Sequence, residues 1–317
     1  MRKSTVFMFS GQGSQYYQMG VNLFQNNSLF KNEMLRLDKI AKDINGRSIL
    51  DELYKKDNNR AKLFDDITYT HPAIVMLEYA MAHTLMGYNV EPDYLLGASL
   101  GEFVSLAVAG VVEVETMMEM VITQAECIAS QCELGNMVAI IGDKNLYENQ
   151  PILYEHSELV SINFDSHFVV SITRDRLDRV VEWLRREDII YQVLPVNYAF
   201  HSPHINYAKY SYKTYLETKT YDNPAIPCIS CATGKNLNMV NHDYLWDVIR
   251  SPIRFTDALN FLEDKGEYVY LDLGPSGTLT NFAKYNLNKV SGSECYPILT
   301  PFETGTDNLS KVLKRFK

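Results

Sequence analysis

The run Tyr94-Leu95-Leu96-Gly97-Ala98-Ser99-Leu100-Gly101-Glu102 constrains this chain more than any other stretch. A short apolar segment ends in glycine, a serine stands two residues on, and a second glycine opens an apolar helical pattern. In this G-x-S-x-G arrangement a strand, a tight turn and a helix present a serine hydroxyl at the end of a buried strand. Glycines on both sides let the backbone turn sharply and let other main chain come close. The strand that delivers the serine is buried on both faces and needs a helix packed behind it. A parallel sheet covered by helices meets that condition.

The rest of the chain repeats the pattern, with one change of character. Thr5–Ser10 reads as a strand running into the loop Gly11-Gln12-Gly13-Ser14-Gln15. Pro72–Met86 reads as an apolar helix opened by Pro72, and Val114–Gln131 as a further helix. Asn136–Ile141, Leu159–Phe164, Phe168–Thr173 and Ile189–Val193 then read as strands, with helices at Leu146–His156 and Arg174–Arg186. That is the β-α-β-β-α-β order of a ferredoxin-like unit. Residues 133–197 are therefore expected to form a small subdomain inserted into a larger one made of 1–132 and 198–317. Later elements are a strand at Cys228–Cys231, helices at Tyr244–Ile249 and Phe255–Glu263, a strand at Tyr268–Leu273 and a terminal helix at Val312–Phe316.

Composition narrows the classes. The 317 residues are 46% apolar and carry a formal net charge of −9, which argues against nucleic acid or an anionic membrane as partner. No stretch is apolar enough to span a membrane, and Val6-Phe7-Met8-Phe9 is too short for a secretory signal. Cys228 and Cys231 form a lone C-x-x-C among five cysteines, so small buried residues are expected there rather than zinc. A reduced, cytoplasmic enzyme without a metal fits, and a monomer is the expected state.

A serine hydroxyl needs a base. His201, in the loop Tyr198-Ala199-Phe200-His201-Ser202-Pro203-His204, is the best of the seven histidines, with His204 its rival. His71, beside Pro72, reads as a channel or helix-cap residue. Attack on a carbonyl also needs donors for the oxyanion. Leu100 N–H opens the helix after the elbow, and the Gly11–Gln15 loop is the early loop of suitable composition. That loop lacks the Gly-Lys-Ser/Thr of a P-loop and the spacing of a dinucleotide fingerprint.

Taken in order, Phe9–Gln15, Gly97–Glu102, Ala199–Pro203, Ser251-Pro252-Ile253-Arg254-Phe255 and Leu273–Thr280 resemble the motifs of the malonyl-CoA:acyl-carrier-protein transacylase family. Nearly the whole chain is covered. The resemblance implies an α/β-hydrolase-like core carrying a ferredoxin-like subdomain. It implies that Ser99 forms an acyl-enzyme, that His201 is the base, and that backbone N–H groups of Gln12 and Leu100 hold the oxyanion. It implies a backbone carbonyl, at about Val248, orienting His201 in place of an aspartate. Gly11, Ala98, Gln124 and Phe200 fall at pocket positions. The implied partners are acyl carrier proteins, whose phosphopantetheine arrives as part of the substrate; no separate cofactor is implied.

Two departures bear on specificity. Ala98 replaces the usual histidine before the nucleophile. Gln124 stands where relatives that use malonyl units carry arginine, on a helical stripe with Met117, Val121 and Ile128. Glutamine cannot neutralise a carboxylate, and burying one unpaired is costly. The chain thus resembles the free-standing acyl hydrolases of polyketide pathways whose acyltransferases act in trans, which release short neutral acyl groups from carrier proteins. A malonyl or other acyl transferase is the alternative. The arginines of 174–186 are expected to form either part of a docking face for an acidic carrier or an ordinary solvated face.

Overall fold

The computed structural model describes residues 2–302 and 304–316; Met1 and Lys317, the ends of the expected larger portion, and Glu303 lie outside the described residues. Among the described residues, ten strands form two sheets. Strands β1 (Ser4–Phe9), β2 (Tyr94–Gly97), β7 (Cys228–Ser230), β8 (Lys235–Asn236), β9 (Tyr268–Asp272) and β10 (Glu294–Pro297) make one, in the order β10-β9-β1-β2-β7-β8. All its pairings are parallel except β7 with β8. Phe7 and Phe9 face one apolar core, and Val6 and Met8 face another on the opposite side. Burial on both faces is why β1 is an unbroken apolar run rather than an alternating one.

Strands β3 (Gly135–Ile141), β4 (Glu158–Phe164), β5 (His167–Thr173) and β6 (Ile190–Val193) form an antiparallel sheet in the order β4-β5-β3-β6. This is ferredoxin-like topology. Here the residues do alternate. Val138, Ile140, Phe168, Val170 and Ile172 pack against Val180 and Leu184 of the helix Arg174–Arg186. Met137, Ala139 and Val169 face the other way, into the main core.

Several elements differ from expectation. The helix expected at Pro72–Met86 spans Ile67–Gly87; it begins before Pro72 because the Asp66 carboxylate caps Thr68 N–H. His71 is therefore a buried interior residue of that helix, not its cap. The expected helix over 146–156 is two short turns, Leu146–Asn149 and Pro151–Tyr154, interrupted where Gln150 precedes proline. The terminal helix starts at Gly305 and runs to Arg315. A helix at Lys209–Leu216 and the edge strand β10 lie where no element was expected. Among the described residues, no helix is long and apolar enough to cross a membrane.

Candidate active site

β2 ends at Gly97, and the chain reverses into the helix Gly101–Val108 through Ser99, whose φ is 56°. A left-handed conformation at a non-glycine residue is strained and persists only where its surroundings enforce it. Here Ala98 N–H donates to Phe9 C=O at 2.9 Å, and a Cβ on Gly101 would lie 2.2 Å from that same oxygen. Glycine at 101 is thus a requirement of the close approach between elbow and β1. The hydrogen-bonded turns of the helix begin with Gly101 N–H to Ala98 C=O, one residue after Leu100 N–H.

His201 meets the serine from the returning chain. Its Nε2 lies 2.8 Å from Ser99 Oγ, and its Nδ1 lies 2.8 Å from Ser251 C=O. A carbonyl only accepts, so Nδ1 carries the proton and Nε2 accepts from the Ser99 hydroxyl. His201 also has a positive φ, 60°, and its N–H donates to Ile249 C=O at 3.0 Å. Burial lowers its pKa to about 4, against the opposing effect of the Ser251 carbonyl, so the imidazole is neutral at neutral pH. The orienting carbonyl is thus that of Ser251 and not of Val248. Val248 lies within the helix His242–Arg250, where carbonyls point along the axis toward the next turn; Ser251 follows the helix end and precedes Pro252. His204 contributes its backbone N–H to the Ser202 hydroxyl, and its side chain is not part of the cavity wall described below.

The Gly11–Gln15 loop lies against the serine: a Cβ on Gly11 would sit 2.8 Å from Ser99 Cβ. Its shape is fixed by hydrogen bonds. The Ser10 N–H and hydroxyl both donate to Glu78, at 2.7 and 2.8 Å, and the Ser14 hydroxyl donates to Gly11 C=O at 2.7 Å. Gly13 N–H donates to the Gln15 side chain at 2.8 Å, whose amide donates to Phe64 and Pro195 carbonyls. The Gln12 side chain is turned to Thr70, at 2.8 Å. Glu78 is fully buried, which pushes its carboxyl well above the usual range.

A cavity of about 420 Å³ opens between the two sheets. Gly11, Ala98, Ser99, Phe200 and His201 form one wall; Met137, Ala139, Val169, Ser161, Asn163 and His167 form the facing one. Among the described residues, no arginine, lysine, aspartate or glutamate lines it. Gln124 is buried but is not in the wall. Its amide donates to the Tyr212 hydroxyl at 3.2 Å, on the helix Lys209–Leu216 that the sequence did not reveal. Arg254 is engaged by Asp257 at 2.7 Å, and Lys284 is likewise outside the wall.

One pair behind the elbow escaped the sequence reading. Glu102 accepts Ala232 N–H at 2.8 Å and the Tyr244 hydroxyl. Tyr244 belongs to the helix that ends at the His201-orienting carbonyl, so Glu102 ties the serine side of the site to the histidine side. Burial raises the Glu102 carboxyl to about 7. Its signal in the sequence was a carboxylate directly after the elbow, where the helix Gly101–Val108 is mostly apolar.

Residues 6–316 match the model of the acyl transferase domain family. The chain is 44% identical over 98% of its length to the polyketide biosynthesis acyltransferase homolog BaeD of Bacillus velezensis, covering 96% of that protein. It is 42% identical, with the same coverage, to the polyketide biosynthesis acyltransferase homolog PksD of Bacillus subtilis. Among solved structures, the acyl transferase domain of SpnD superposes with a TM-score of 0.88 at 26% identity, over 99% of this chain and 76% of that one. The malonyl CoA-acyl carrier protein transacylase of Coxiella burnetii shares the fold, with a TM-score of 0.83 at 22% identity over 99% and 98% of the two chains. With its whole described core inside that match, this chain belongs to the acyl transferase domain family of acyl-transferring enzymes.

Proposed function

We propose that the chain is a serine acyl hydrolase that releases short, neutral acyl groups from acyl-carrier-protein thioesters in polyketide biosynthesis. The observation that carries this reading is the uncharged cavity wall. A malonyl carboxylate entering it would lose hydration without gaining a cation, at a cost of several kcal/mol. Among the lining residues, Gln192 is an uncharged polar side chain suited to holding water. The Bacillus relatives, both polyketide biosynthesis acyltransferase homologs by name, support the pathway.

In this mechanism the Ser99 hydroxyl attacks the thioester carbonyl as its proton passes to His201 Nε2. Backbone N–H groups of Gln12 and Leu100 receive the developing oxyanion. The carbon–sulfur bond breaks, and the thiol of the phosphopantetheine arm leaves with the proton from His201. Water then attacks the acyl-Ser99 ester, giving a proton to His201, which returns it to Ser99 as the acid departs. Ser251 C=O holds the imidazole in the required tautomer throughout. The arm belongs to the substrate and no cofactor takes part. We place carrier docking on the helix Arg174–Arg186, where Arg176 and Arg179 are exposed.

The test follows acetyl- and malonyl-loaded carrier by intact-protein mass spectrometry, with an unloaded second carrier present. Loss of acetyl to water, slow action on malonyl and an inert Ser99→Ala variant are expected. Acyl groups accumulating on the second carrier instead would identify a transferase.

A further inference from the structure

Opposite the serine, the cavity wall holds a second histidine that the mechanism above does not use. His167 opens β5 and belongs to the wall together with Ser161 and Asn163 of β4. The Ser161 hydroxyl donates to Asn163 Oδ1 at 2.6 Å, and Asn163 Nδ2 lies 3.0 Å from His167 Nδ1. An amide N–H donates, so Nδ1 is the acceptor and the ring proton sits on Nε2. Burial lowers the His167 pKa, which favours the neutral ring. His167 is thereby a neutral donor of fixed polarity.

The relay is held from several sides. Register shifts in the β4–β5 ladder fall between Leu159 and Ser161, just before Ser161, and between Ile162 and Phe164, at Asn163 itself. Such irregularities re-aim side chains near functional sites. Asn163 C=O accepts from the Asn286 side chain at 2.6 Å and from the Thr256 hydroxyl at 3.3 Å. The His167 ring packs between Phe164 and Phe282, with centroids 5.1 and 5.3 Å away. A ring fixed in place, with its acceptor nitrogen engaged, offers the cavity one N–H. The matching chemistry is an uncharged oxygen acceptor, since a neutral donor does not supply the charge that a carboxylate needs.

We infer that His167 is a specificity-determining donor that reads an uncharged oxygen of the thioester substrate. This rests on the acyl-enzyme reading above. The oxygen has two possible sources: a substituent on the acyl chain, or an amide carbonyl of the phosphopantetheine arm.

The experiment measures kcat/KM for butyryl and 3-hydroxybutyryl groups, each on a carrier protein and as the S-ethyl thioester, which lacks the arm. Wild type, His167→Leu and His167→Gln are compared. Loss of one neutral hydrogen bond is expected to cost His167→Leu about tenfold. If the acyl oxygen is read, only the 3-hydroxybutyryl substrates lose that factor, on either thiol. If the arm is read, both carrier substrates lose it and neither S-ethyl thioester does. In each case His167→Gln, which keeps an N–H donor, recovers part of the rate. Rates for His167→Leu within twofold on all four substrates overturn the inference, as does an equal loss on all four. Failure of the underlying reading looks different: wild type itself then forms no acyl-Ser99 adduct by intact mass.

Discussion

The two walls of the cavity are built on different principles. On the large-sheet side the reacting groups sit at a strand end and in loops, on strained backbone. Ser99 and His201 both have positive φ; the residue before Ser99 is tied down by Ala98 N–H to Phe9 C=O, and His201 by its own N–H to Ile249 C=O. On the small-sheet side the lining residues Met137, Ala139 and Val169 project from the middle of a regular ladder. Chemistry requires atoms at set distances, and strain is tolerated to place them. Discrimination of acyl size requires only that the right side chain fill the space, which an ordinary strand provides. The first wall should therefore be brittle and the second adjustable.

The largest effects should come from the brittle wall. Ser99→Ala and His201→Ala should each lower kcat by about 10⁴-fold or more, because the two act as a unit. Both variants should keep the wild-type circular dichroism spectrum, since neither fills nor empties the core. If the pair acted independently, the double variant would be far worse than either single one.

Gly11→Ala comes next. Its Cβ would fall 2.8 Å from Ser99 Cβ and 3.0 Å from Ala98 C=O, so either the loop or the elbow must retreat. Misplacing one oxyanion donor costs about 10²–10³ in kcat. The expected signature is a fall in kcat with little change in KM. A Gly11→Ala enzyme of normal kcat would show that this wall tolerates displacement, and the contrast drawn above would fail.

The adjustable wall should give a smaller and more selective response. Ala139→Leu adds three carbons to the facing side of the cavity. It should raise KM for butyryl relative to acetyl thioesters by about tenfold, the scale on which a hydrophobic pocket distinguishes methylene groups. Its kcat for acetyl should stay close to wild type. Equal losses for both acyl groups would mean that the small sheet also positions the reacting atoms.

The same contrast explains what was legible in the sequence. The elbow could be read because a buried parallel strand leaves an apolar run, and the turn after it leaves two glycines. His201 could be found because a serine of this kind needs a base in a loop. Val248 was the wrong carbonyl because a helix end decides which carbonyl is released, and that end lay at Arg250, one residue beyond the expected Ile249, with Ser251 following it. Gln124 was correctly placed on a buried stripe, but periodicity does not say what lies opposite. Its partner Tyr212 sits on a tyrosine-rich helix, Lys209–Leu216, with no clear apolar face. β10 was missed because Glu294-Cys295-Tyr296-Pro297 is half-exposed at the sheet edge and reads as neither buried nor alternating. The Ser161–Asn163–His167 relay depends on side chains meeting across a turn, which no local pattern encodes.

The smallest expected effect concerns the strut between the two reacting groups. Glu102 has its carboxyl raised by burial to about 7, while an exposed glutamate titrates near 4.5. Between these values the folded protein binds more protons at this site than the unfolded chain, so Glu102 makes stability fall as pH rises through that window. His201 acts in the opposite sense. Its folded pKa is about 4 against 6.5 unfolded, so the unfolded chain binds more protons there and stability rises with pH across that interval. Glu102→Gln removes the first contribution and leaves the second. Other buried acids, such as Asp272, raised to about 6, contribute to both proteins and cancel in the difference. The melting temperature of Glu102→Gln minus that of wild type should therefore become more positive between pH 4.5 and 7, with kcat within a few-fold of wild type, because glutamine can still accept from Ala232 N–H and bond Tyr244. A difference that stays constant across that range would mean that Glu102 is ionised in the folded protein throughout, held by its hydrogen bonds against the cost of burial.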